Sequence, residues 1–76
     1  MEIINISKEK GKVVVSLDSS ELVTICNTMY NTPDDKTNAK HYKLYSDMMI
    51  ARDLCQYGHI DDFCFNCIAE SRSKAR

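Results

Sequence analysis

The residues best suited to chemistry crowd into one stretch, CQYGHIDDFCFNC, which places Cys55, His59, Cys64 and Cys67 within thirteen positions. Thiolates and imidazoles are preferred zinc ligands, and a tetrahedral site accepts three sulfurs and one nitrogen. A Cys64/Cys67 pair on the first turn of one helix could meet Cys55 and His59 at the end of the helix before it. A structural metal would suit a chain this short, because small domains often supplement their cores with metals, disulfides or self-association. The same residues admit a redox reading. Cys64-Phe65-Asn66-Cys67 is a C-x-x-C pair, and a helix N-terminus lowers a thiol pKa.

Neither chemistry has a strong signature. The spacing C-x3-H-x4-C-x2-C differs from the two well-separated C-x2-C pairs that mark zinc modules. A redox C-x-x-C normally follows a strand; here a helix is expected before it, and Asp61 and Asp62 oppose thiolate formation. Packing accounts for all four cysteines. Ile60, Phe63, Cys64, Cys67 and Ile68 recur at helical spacing, Cys55 continues a row of Leu44, Met48 and Ala51, and Cys26 lies among Leu22, Ile25 and Met29. Reduced cysteine is a small hydrophobe and is often buried. The favoured reading has no metal, no cofactor and no catalytic residue; zinc on Cys55, His59, Cys64 and Cys67 is the alternative. Asp34-Asp35 and Asp61-Asp62 are explained as helix N-termini, and with only Gly11 and Gly58 there is no phosphate-binding loop.

The elements that position these residues follow from periodicity. Ile3, Ile4 and Ile6, a polar turn containing Gly11, and the run from Val13 to Leu17 predict a β-hairpin over about residues 2–17. A one-residue slip exchanges Val14 for Val13 and Val15 on the inner face, and both registers stay open. Asp18 and Glu21 form a capping-box pattern ahead of a first helix over about 19–31. The second helix runs over about 33–57, starting either at Pro33 or near Asn38 and ending at Gly58. The third spans about 61–73. The expectation is a single α+β domain over residues 1–76, a hairpin laid across three helices. Its core would use Val13, Val15, Leu17, Leu22, Ile25, Met29, Leu44, Met48, Phe63 and Ile68. Besides the Leu44 row, the second helix carries a strip of Tyr42, Tyr45 and Met49, so apolar residues cover much of its circumference. Such a helix is central in the fold or covered by a partner.

Ten basic and eleven acidic side chains leave a net charge of −1, so no overall field invites nucleic acid or an anionic membrane. MEIINISKEK has no apolar signal region, and Val13–Val15 and Met48–Ala51 are far too short to span a bilayer. A soluble cytoplasmic protein with reduced cysteines is expected.

The segment KVVVSLDSSELVTICNTMY, a valine-rich strand leading through an acidic cap into a helix, resembles the opening of small accessory proteins of Gram-positive phages and mobile elements. It covers about a quarter of the chain and carries no diagnostic residue. The resemblance implies a class of short, non-enzymatic chains that bind and modulate larger host or phage proteins, among them anti-CRISPR proteins. The functional expectation is a non-catalytic protein-binding or regulatory module, presenting Tyr42, Tyr45 and Met49 or a hairpin edge to a protein partner or to a second copy in a homodimer. The alternative is a zinc-stabilised, nucleic-acid-associated regulator that sets its basic end, Arg72, Lys74 and Arg76, on phosphates.

Overall fold

The β-branched residues at the start of the chain form two antiparallel strands, β1 (Glu2–Ser7) and β2 (Lys12–Ser16), in a computed structural model that describes residues 1–76. Residues 8–11 make the turn between them. Gly11 closes it by donating its N–H to the Lys8 carbonyl at 3.2 Å, at a φ of +63° that a side chain would oppose. Ser7 pairs with Lys12, Ile6 with Val13 and Asn5 with Val14; the ladder then skips Ile4, and Ile3 pairs with Val15. Ile4 is a β-bulge.

Helix α1 (Ser19–Tyr30) begins with the capping box that Asp18 and Glu21 predict. Asp18 Oδ1 accepts from the Glu21 amide at 2.8 Å, and Glu21 Oε1 accepts from the Asp18 amide at 3.1 Å. Pro33 opens only a 3-10 turn over Asp34–Lys36. The next helix, α2 (Ala39–Tyr57), starts later, because Asn38 Oδ1 accepts from the His41 amide at 3.0 Å and caps it there. Gly58, left-handed at φ +73°, ends α2 as its position suggests. Helix α3 follows over Asp62–Lys74. The chain is thus an α+β domain, a hairpin followed by three helices.

Helices α1 and α3 both pack on α2, and one residue from each meets at the centre: Cys26, Met49 and Ile68. Leu22 is buried nearby. Three expectations are corrected here. The hairpin does not lie across the helices; neither strand packs on any of them, and its base is held where the Met1 amino group pairs with Glu21. Val13, Leu44 and Phe63, expected in the core, are exposed. On α2 the Leu44 row is split: Tyr45 and Met49 face the neighbouring helices and Met48 packs beside them as expected, while Leu44, Ala51 and Cys55 face outward. The inward face also contains Ser46 and Asp53, both buried. Hydrophobicity alone could not select it. Ser46 satisfies its hydroxyl on the Lys43 carbonyl at 2.8 Å. Asp53 is bound into the start of α3, which fixes the rotation of α2.

Candidate interaction surface

Cross-strand partners in an antiparallel hairpin point to the same side, and neighbours along a strand alternate. The observed register therefore sorts the hairpin into two faces. Val13 and Val15 from β2 share one face with Ile6 and Ile3 from β1. Lys12, Val14 and Ser16 share the other with Ser7, Asn5 and Glu2. Ile3 and Ile6 are three apart, a spacing that puts them on opposite faces of a regular strand. The extra residue at Ile4 brings them to the same one. The bulge thus assembles four β-branched side chains into one wholly apolar face. Its members remain open to solvent: Ile3 is 57 % exposed, Ile6 66 % and Val13 54 %, with Val15 half-buried.

The shape of the chain reflects this. It exposes 5887 Å², whereas a compact monomer of its mass exposes about 4,700 Å². Its radius of gyration is 13.3 Å, against about 11.4 Å for a compact chain of this length. Besides the hairpin residues, Leu44, Leu54, Tyr57, Phe63 and Phe65 are exposed on the helices.

The tyrosine strip runs from the core to a half-buried edge. Met49 is 2 % exposed and sits at the core, and Tyr45 packs against it. Tyr42 is half-buried: the Thr37 hydroxyl bonds its phenol oxygen at 2.9 Å, and Lys74 Nζ lies 5.3 Å from its ring centroid. Burial pushes the Tyr45 hydroxyl pKa up. His41 stands at the edge of the same strip, beside Tyr42 and Tyr45.

The cysteine and histidine pairs do not converge. No group of three or more ligating side chains is close enough to hold a metal ion. Cys55 faces outward with the exposed row of α2, and exposed His59 directs Nδ1 to the Tyr57 carbonyl at 3.1 Å. Cys67 packs against the core. The geometry of the zinc alternative is therefore missing, because the Gly58 turn carries His59 away from the thiols of α3. Nor is Cys64 an activated thiol. Burial pushes its pKa up and Asp53 adds to the shift, despite the Arg52 guanidinium donating to Sγ at 3.0 Å.

That Arg52 contact belongs to a network that sequence reasoning missed. Asp53 is 1 % exposed; Oδ1 accepts from Arg52 Nε at 3.2 Å and Oδ2 from the Asp61 amide at 3.2 Å. Burial pushes the Asp53 carboxyl upward, but Cys64, the Asp61 amide and Arg52 outweigh it and hold the pKa below its ordinary value. Asp61 makes no side-chain cap of its own, so the carboxylate of Asp53 takes up the start of α3 from outside that helix. The only available signal was an Arg-Asp pair flanked by Ala51 and Leu54, which periodicity reads as polar surface. No buried side-chain polar atom lacks a partner. The network is thus a satisfied structural joint.

The chain matches no known protein family, no curated protein and no solved structure. No helix is long and apolar enough to cross a membrane.

Proposed function

We propose that this chain is a small non-catalytic protein-binding module whose binding surface is the apolar hairpin face of Ile3, Ile6, Val13 and Val15. One observation carries the reading: a bulge aligns four β-branched side chains on one face, and the protein's own helices do not cover it. Contiguous exposed apolar surface in a folded chain marks interaction sites. The carboxylate of Asp18 is engaged in the cap of α1, and that of Asp53 in the joint with Arg52 and the Asp61 amide. The resemblance at residues 12–30 supports a modulator of larger host or phage proteins as the form this module takes, working in the cytoplasm. No observation favours the zinc-stabilised, nucleic-acid-associated alternative, whose ligands are scattered.

The test compares protein capture by the immobilised wild type with capture by I6K and V13K, each checked for unchanged helical circular dichroism. Partners retained by the wild type and lost by both variants are the expected result. Equal capture by all three proteins would overturn the hairpin as the binding surface.

A further inference from the structure

We infer that the cleft between the end of α1, the 3-10 turn, the start of α2 and the end of α3 binds an alkylammonium ion, the group carried by free amines and by lysine side chains. The cleft is separate from the hairpin and has a volume of about 160 Å³. A cavity of about 150 Å³ is enough for a benzene ring, so the end of a short amine fits. Its wall is aromatic: Tyr30, His41, Tyr42 and Tyr45 line it, and the His41 and Tyr42 rings stand perpendicular with centroids 5.4 Å apart. Aromatic ring faces attract cations. The charges agree, because Asp34 and Glu70 line the cleft against a single lysine, Lys74.

The chain's own ammonium already stands there. Lys74 Nζ lies 5.3 Å from the Tyr42 ring centroid and 3.4 Å from Glu70 Oε1. Glu70 holds the Lys74 pKa above its ordinary value, and Tyr42 and Asp34 add to the effect, so these surroundings favour an ammonium. Both side chains of the pair are largely open to solvent. Such exposed pairs contribute little, and an incoming cation displaces Lys74 at low cost. Ser71 supplies an independent sign of a ligand. It is only 6 % exposed, and its hydroxyl makes no bond within the protein; it opens on the cleft instead of being sealed among satisfied polar atoms. A hydroxyl oxygen accepts from N–H groups, and an ammonium has three to donate. The bound cation thus rests on the ring faces, pairs with Glu70 and donates to Ser71 Oγ.

Amide NMR titrations of the isotope-labelled full chain with n-butylammonium test this, with n-butanol and inorganic phosphate as the uncharged and anionic controls. The amine should shift the amides of Tyr42, Ser71 and Lys74 and leave those of β1 and β2 in place; neither control should do so. Lys74→Ala removes the competing ammonium and should tighten binding about fivefold. Glu70→Gln should weaken it about threefold. Ser71→Ala places a good helix former in α3; it should weaken n-butylammonium but leave tetramethylammonium, which has no N–H, unchanged. A short peptide with one lysine and blocked ends separates the two sources of the cation. Tighter binding than n-butylammonium assigns the site to a protein's lysine, and equal or weaker binding assigns it to a free amine. Absence of shifts with the amine, equal shifts from n-butanol, binding of phosphate in its place, or a Lys74→Ala chain that binds no more tightly would each overturn the proposal.

Discussion

At Asp53 one carboxylate ties α2 to the start of α3. It accepts from the Asp61 amide ahead of α3, pairs with Arg52 on its own helix, and lies beside the Cys64 thiol. Removing one partner of a buried ion pair leaves the other unsatisfied. Asp53→Ala should therefore cost about 3 kcal/mol, a large part of the roughly 4–11 kcal/mol available to a domain of this size. Asp53→Asn should cost less, because its amide oxygen still accepts from Asp61. Urea midpoints measure both; a loss under about 1 kcal/mol for the alanine variant would mean that the network does not secure the joint. The pH dependence has a definite sign. The carboxyl titrates below its ordinary 3.8 in the folded chain. Its contribution is complete above that ordinary value and is lost as the pH falls through the lowered one. Thermal scans from pH 5 downward should show a steeper loss for the wild type than for Asp53→Asn.

Among the elements, the start of α1 and the end of α2 were legible because each depends on a local signal, whereas the start of α2 stayed open between Pro33 and Asn38. Asp18, Glu21 and Gly58 act within a few residues of themselves, and each does what its type and position imply. Replacing Asp18 with alanine removes one half of the capping box and should cost about 1 kcal/mol, read as a lower urea midpoint at unchanged slope. A cost indistinguishable from zero would assign the start of α1 to Glu21 and the Met1 amino group alone. The rotation of α2 was less legible. Apolar residues occupy two rows about a third of a turn apart, and the choice between them depends on Ser46 and Asp53. Those two polar residues are buried with their bonds made: Ser46 on the Lys43 carbonyl of its own helix, and Asp53 on the Asp61 amide at the start of α3. Phe63 was misplaced for a related reason. It belongs to the helical stripe of α3, but the inward face centres on Cys64, Cys67, Ile68 and Ser71, which leaves the ring at the rim.

The whole molecule divides into a packed helical part and a hairpin that shares little of its stability. Isolated hairpins are marginal in water, and regions with few packed contacts open locally at low cost. Amide hydrogen exchange should therefore separate the two parts. Amides at Met49 and Ile68 should exchange near the limit set by global unfolding, and those of β1 and β2 much faster in dilute protein. Equal protection of strands and helices at every dilution would contradict an independent hairpin.

The sequence by itself determined the order and kind of the elements, the capping box of α1, the Gly58 stop of α2 and the position of the turn. These are short-range matters of backbone geometry and hydrogen bonding. It also contained the residues of the apolar hairpin face, but not their grouping: with Ile3 and Ile6 at odd spacing, only the pairing of β1 with β2 and the bulge at Ile4 set them together. Tertiary structure alone decided that the hairpin stands off the helices, that Met49 turns inward and Leu44 outward, and that the thiols and His59 stay apart. The physical reason is common to all three. Several faces of this chain are apolar, the free-energy differences between burying one and another are small, and long-range polar contacts such as Asp53 with the Asp61 amide break the tie.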